Sequence, residues 1–315
     1  MNTKFKVENY LSLKKLRFHN FYSQSLNLGV LKMIKEMEIN NLKVKTYIFP
    51  ANNLSEENLF KLHKKLIEVN HSLPNIIKNK YLETETSYLK LKEKLQNMII
   101  SEIYVEEKVV GFLVSPILEN GKNKILHLGL VIINENPGGN LIGLVGVQHI
   151  VLAYENFGSI FITNISSTPS IIENFSEICF SCWPSPNAKL RNCPSGYKEV
   201  VKILKEKYMD KFFPESNSLE LDYKRFVLKS KSKKMGFSTD FKNLSKADKF
   251  KYNSFCLTWL SYESEEDLIQ VGRITFFNYF YIKIVLWGLM YSVYTRIKKH
   301  KIKSNTIEII SKKAA

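Results

Sequence analysis

The feature that most constrains this chain is the stretch "ILHLGLVIINENPGGNLIGLVGVQHIVLAYENFG", from Ile125 to Gly158. Its first part, Ile125 to Asn134, contains no Asp, Glu, Lys or Arg. Such a run reads as a strand buried on both faces. "NENPGGN" then gathers the residues of a turn. After Asn140, the residues Leu141, Leu144, Val145, Gln148, Val151 and Leu152 recur at helical spacing. That spacing predicts a largely buried helix ending near Gly158. The stretch is therefore strand, turn and buried helix, and a greasy hairpin fits it less well.

The flanking segments supply further elements. "LKVKTYIFP", Leu42 to Pro50, alternates apolar and polar residues and stops at proline, as a strand does. Ser55 can cap a helix whose first turn holds Glu56 and Glu57, and Leu59, Leu62, Leu66 and Val69 share one face of it. Tyr88, Leu91 and Leu95 suggest a second helix. "MIISEIYVEEKVVGFLVSPI", Met98 to Ile117, is two β-rich runs about a polar turn, hence a hairpin. "NGKNK" makes the next turn. "SIFITNIS", Ser159 to Ser166, is a strand, and Thr168 with Pro169 opens a helix through "SIIENFSEI". Later strands are expected at "YKRFVLK" and "DLIQVGRI".

Composition narrows the class of partner. The chain has 315 residues and a formal net charge of +16, from 46 Lys plus Arg against 30 acidic residues. That balance favours anionic partners: nucleic acid, an anionic membrane surface, an acidic carrier protein or a phosphorylated cofactor. The basic run "KSKSKK" lacks the interleaved aromatics of a single-strand binding groove, so a nucleic acid ranks behind the others. The N-terminus has no uninterrupted apolar core and no small-residue cleavage site, so a cytoplasmic location is expected. The four cysteines, Cys179, Cys182, Cys193 and Cys256, read as free thiols. Cys179 and Cys182 have knuckle spacing with Cys193 as a third ligand, but a second close pair is missing, and no metal is expected.

Three local patterns and the order of elements carry a resemblance. "IYVEEKVVGFLVSPI" looks like the hairpin, "LGLVIINENPGGNLIG" like the central strand and pyrophosphate turn, and "FITNISSTPSIIENFSEICF" like the fifth strand and following helix of the GNAT acyltransferase superfamily. The resemblance covers roughly residues 43 to 273 and is best from 100 to 180. It implies an α+β fold with a mixed, mostly antiparallel central sheet flanked by helices. It divides the chain into an N-terminal helical extension (1–41), an acyltransferase domain (42–273), a hydrophobic aromatic helix (274–295) and a basic tail (296–315).

The same resemblance implies a function. An acyl group would move from acyl-CoA, or from the pantetheine thioester of an acidic acyl carrier protein, to an amine or hydroxyl on a small-molecule or lipid acceptor. A catalytically silent GNAT-fold binding module is the alternative, and a basic nucleic-acid-binding protein a more distant one. Gly138, Gly139 and Asn140 would offer backbone N–H groups to the pyrophosphate at a helix N-terminus, with Gly143 at the family's last glycine. Leu130, Val131, Ile132 and Ile133 would pair with the pantetheine and polarise the thioester carbonyl. Asn164, Ser166 and Ser167 end a strand bordering the cleft and could hydrogen-bond the pantetheine or merely cap the next helix. His127, Glu102 and Glu135 are the candidate bases. Phe175 falls where many members carry a tyrosine that protonates the leaving thiolate, and a phenyl ring has no such proton.

The stretch "ITFFNYFYIKIVLWGLMYSVYT", Ile274 to Thr295, approaches membrane-spanning length but holds Asn278 and Lys283. With the basic "RIKKHKIK" after it, a helix lying in the interface of an anionic membrane, on the cytoplasmic face, fits better than a span. A buried core helix or a dimer helix is the soluble alternative.

Overall fold

The computed structural model describes residues 34–72, 87–121, 123–134, 140–187, 192–210, 220–229 and 240–314, with the side chains of the last segment described to residue 298. The fold is α+β, a ten-stranded mixed sheet between helical layers. Strands β1 (Ile34–Ile39), β2 (Leu42–Ile48), β3 (Met98–Val105) and β4 (Lys108–Asn120) form an antiparallel meander. Strand β5 (Asn123–Leu128) joins β4, and β7 (Ile160–Ser166) lies parallel to β5. Antiparallel β10 (Glu266–Ile274), β9 (Val227–Lys229) and β8 (Leu221–Asp222) complete that side. Strand β6 (Val131–Ile133) pairs with β4 only.

Helices cover both faces. Helix α1 (Glu56–His71) buries Leu59, Leu62, Leu66 and Val69, the face its spacing predicts, and Ser55 caps it by accepting from the Asn58 N–H at 3.4 Å. Helix α2 (Tyr88–Leu95) packs beside it over Ile100, Phe112, Val114 and Ile132. On the same face, α5 (Tyr197–Leu204) covers Ile125, Phe161, Ile269 and Val271, and continues as a π-helical turn, Lys205–Met209. The opposite face carries α3 (Leu141–Phe157), α4 (Pro169–Ile178) and α7 (Phe276–Ala314) over Ile99, Ile103, Leu113, Leu126, Ile162 and Ile274. Helix α6 (Phe250–Trp259) packs on α4.

Several boundaries differ from the sequence reading. Residues 34–39, assigned to a helical extension, form β1, whose alternating burial is a strand pattern. Residues 1–33 lie outside the described residues. "YKRFVLK" is half turn: Phe226 sits at φ 57°, and only Val227–Lys229 is strand. The run read as one strand from Ile125 to Asn134 is interrupted at Gly129 and Leu130. The hydrophobic segment and the basic tail are one continuous helix, α7.

The hairpin turn between β3 and β4 is made by Glu106 and Glu107, with φ of 49° and 67°. Two successive left-handed residues are the backbone of a type I′ turn, which usually selects Asn or Gly. Glu106 accepts a side-chain bond from Asn41 and its N–H reaches the Asn41 carbonyl, which ties this turn to the β1–β2 turn.

Candidate functional site

The interruption at Gly129 organises the centre of the molecule. Along β4, four steps lead from Ile117 to Leu113, and the facing chain takes five, from Leu126 to Val131. One extra residue is therefore accommodated as a bulge. Gly129 is required there. A Cβ on it would stand 2.7 Å from the Val114 carbonyl oxygen and 3.3 Å from Pro116 Cδ.

Beyond the bulge the sheet opens. Up to Leu128, paired with Asn164, the strand is bonded to β7. From Val131 it follows β4, while Ile165 and Ser166 stay with β10. The Val114 N–H donates to the Leu130 carbonyl at 2.9 Å, and the Asn134 N–H to the Val110 carbonyl at 2.8 Å. Hydrogen-bonded and non-bonded pairs alternate along an antiparallel ladder, so Val131 and Ile133 turn their N–H and C=O groups away from β4, toward the gap. Leu128, Gly129, Leu130, Val131 and Ile133 are all part-exposed, whereas Ile132 is buried on Phe112.

The residues named from the sequence distribute unevenly about this gap. His127 is buried beneath α5, with Nδ1 3.0 Å from Thr163 Oγ1 and its ring 4.3 Å from that of Tyr208. Burial lowers its pKa to about 3, with the Thr163 contact opposing, so the imidazole is neutral. Asn164, 7 % exposed, has no partner for its Nδ2 among the described residues. Ser167 is half-buried, and its carbonyl accepts from the Tyr262 hydroxyl at 2.9 Å. Asn140 caps α3, its Oδ1 accepting from the Gly143 N–H at 2.9 Å. The side chain folded over Gly143 leaves no room for a Cβ, which would meet it at 2.6 Å. Glu135, Gly138 and Gly139 lie outside the described residues.

Glu102 is not brought to the gap. It pairs across β4 with Phe112, which in turn pairs with Ile132, so a phenyl ring stands between Glu102 and β6. Its carboxylate is enclosed, accepting from Tyr47 at 2.9 Å and Tyr104 at 2.7 Å, with Lys65 Nζ at 3.3 Å. Phe175, at the family's tyrosine position, is buried in the core between α4 and the sheet. The cysteines Cys179 and Cys182 are buried free thiols, and burial raises both pKa values, that of Cys182 to about 12. Among the described residues no three His, Cys, Asp or Glu side chains gather as a metal site would need.

Sequence reasoning missed one residue beside the bulge. Tyr208, in the π-helical turn after α5, is 7 % exposed, and its hydroxyl lies 3.4 Å from where a Cβ on Gly129 would be. Burial raises its pKa, so it carries its proton at neutral pH. The sequence signal that could have found it is the glycine inside an apolar strand, which marks a close approach by another group.

A mixed sheet with this order, a bulged central strand, and a gap opening between it and its parallel neighbour is consistent with the GNAT fold that the sequence resemblance implies. No family model and no curated protein matches the chain. Among solved structures, it is similar to an aminoglycoside acetyltransferase, meta-AAC0020, from an uncultured soil metagenomic sample, in complex with sisomicin. There the identity is 22%, over 38% of this chain and 75% of that one, with a TM-score of 0.27. RimL, the ribosomal L7/L12 alpha-N-protein acetyltransferase in complex with coenzyme A, is 15% identical over 41% of this chain and 74% of that one, with a TM-score of 0.26. The aminoglycoside 6'-N-acetyltransferase from Enterococcus faecium covers 76% of this chain and 96% of its own, at 12% identity and a TM-score of 0.28. At overlaps this low the architecture rests on the chain's own strand order and gap.

Proposed function

We propose that this protein is an acyltransferase, taking an acyl group from a coenzyme A or carrier-bound pantetheine thioester and passing it to an amine or hydroxyl. The observation that carries the reading is the gap beyond Leu128, with the main-chain groups of Val131 and Ile133 turned into it. A pantetheine arm has amide groups and a narrow section, so it can add to such an edge as a strand would. The N-terminus of α3 follows the same strand, and its dipole favours the phosphates of the donor. Asn164, on the other lip, has a buried amide N–H with no partner among the described residues.

In the transfer step the acceptor nitrogen or oxygen attacks the thioester carbonyl. A C–N or C–O bond forms, the C–S bond breaks, and the thiolate leaves. Tyr208 would donate its proton to that sulfur, since its hydroxyl borders the bulge and stays protonated, and the phenolate would regain a proton from water. His127, with a pKa of about 3, is too weak a base to hold the acceptor's proton at neutral pH. Its role in this reading is to support Thr163 and the Tyr208 ring, and the acceptor's proton passes to water.

The test combines binding and turnover. Coenzyme A titrated calorimetrically should bind, and acyl-CoA of several chain lengths with a panel of amines should release free thiol. Tyr208→Phe should lower kcat about tenfold to a hundredfold, a general-acid effect, and leave coenzyme A affinity within about twofold. Binding without any thiol release would favour a silent binding module. Neither binding at millimolar ligand nor release would overturn the proposal.

A further inference from the structure

Helix α7 has two unlike sides. Ile282, Leu286, Met290, Val293 and Ile297 are at most 6 % exposed, docked on α3 and the sheet. The two polar residues that interrupt the apolar stretch also belong to this inner side or its margin. Asn278 is buried, its Oδ1 accepting from the Thr275 hydroxyl at 2.8 Å. Lys283 pairs with Glu155 of α3 at 3.4 Å and lies over the Tyr279 ring. The helix is therefore not surrounded by lipid on all sides, and its central charge is paired with a carboxylate of α3.

The outer side is apolar and uncharged over three turns. Phe277 is 78 % exposed, Phe280 52 %, Ile284 70 % and Trp287 36 %. These positions recur at three- and four-residue steps, so they form one stripe about 15 Å long at 1.5 Å per residue. The stripe widens at one end. Phe180, also exposed, has its ring 5.2 Å from that of Tyr281. Past the stripe the same helix runs through Arg296 and Lys298 into the sequence "KHKIK".

From this arrangement we infer that the outer side of α7 docks in the plane of an anionic lipid bilayer. Aromatic side chains favour the headgroup boundary, where one edge is wet and the other dry. The basic continuation of the helix complements anionic headgroups. A second copy of the chain would bring the same basic helix and the same net charge of +16 against itself, so charge favours the lipid surface. This inference does not depend on the acyltransferase reading.

Flotation of the full chain with vesicles tests it. With phosphatidylcholine and phosphatidylserine together, the protein should float with the vesicles. With phosphatidylcholine alone, or in high salt, the floated fraction should fall several-fold. The double variant Phe277→Glu, Ile284→Glu should lose flotation about tenfold or more, with an unchanged melting temperature and unchanged coenzyme A binding. Since both side chains are already exposed, folding should tolerate the change. Absence of flotation with the anionic vesicles would overturn the inference, as would flotation that the double variant retains. A dimer in light scattering that the double variant dissociates, without any flotation, would assign the stripe to a second copy and equally overturn it.

Discussion

His127 and His149 lie on opposite faces of one sheet, and both are fully enclosed with pKa values lowered to about 3 by burial. Their surroundings differ in kind. His149, on α3, is held at both ring nitrogens: Nε2 is 2.8 Å from Ser101 Oγ and Nδ1 2.8 Å from Ser115 Oγ. Ser101 in turn meets Thr46 at 2.6 Å. Three strands and a helix are joined by a chain of bonds in which a neutral imidazole gives one proton and accepts one. His127 is held by one Thr163 contact and an aromatic neighbour, two residues before the strand leaves its partner. The first is a closed polar network that fixes α3 on the sheet. The second stands at the lip of an opening. Equal burial and equal pKa shift therefore do not distinguish a structural histidine from one beside a site; the fate of the adjacent backbone does.

Acid is the strongest way to probe the pair. Above pH 6.5 both histidines are neutral in the folded and the unfolded chain, and they make stability independent of pH. Below it the unfolded chain takes up protons that the folded chain refuses until about pH 3, so stability falls as pH falls. Each histidine should contribute a slope of about 1.4 kcal/mol per pH unit in that window. In urea titrations between pH 6.5 and 4, His149→Gln should remove one such increment from the slope. An unchanged slope would mean that His149 is protonated in the fold and that the network has been misread.

At neutral pH the two regions should separate by mutation. His149→Ala empties a buried volume and strands two serine hydroxyls, at a cost of about 2–4 kcal/mol in urea unfolding. It should leave coenzyme A affinity unchanged. Tyr208→Phe, already set as the catalytic test, should instead lower kcat and leave coenzyme A affinity near its wild-type value, costing about 1 kcal/mol of stability or less. If His149→Ala instead weakened coenzyme A binding, the two faces would be coupled and the comparison would fail.

Much of this architecture was legible in the sequence, for reasons that can be named. Helix α1 was readable because Ser55 and the Leu59–Leu62–Leu66–Val69 stripe agree with each other. The β3–β4 hairpin was readable from its two β-rich runs about a polar turn, although its left-handed Glu106 and Glu107 carry none of the residues that usually mark such a turn. The bulge was not read from the sequence, because Ile125 to Asn134 has no charged residue to break the run and pairing with β4 before and after Gly129 demands the same residue types. Glu102 looked like a base on an accessible hairpin. Only the fold reveals Tyr47, Tyr104 and Lys65 closing on it. Gly129 inside an apolar strand signals that some group approaches closely, but its partner Tyr208 is remote in sequence, so the sequence did not say which residue fills that place.

The most direct measurement of the central claim is hydrogen exchange at single amides, with and without coenzyme A. In the free protein, the Val131 and Ile133 amides should exchange at least about tenfold faster than those of Ile132 and Asn134, which are turned toward β4. Coenzyme A should slow Val131 and Ile133 and leave the amides of α3 around His149 as they were. Coenzyme A bound with Val131 and Ile133 unchanged would contradict the account, since the donor would then lie outside the gap between β6 and β7.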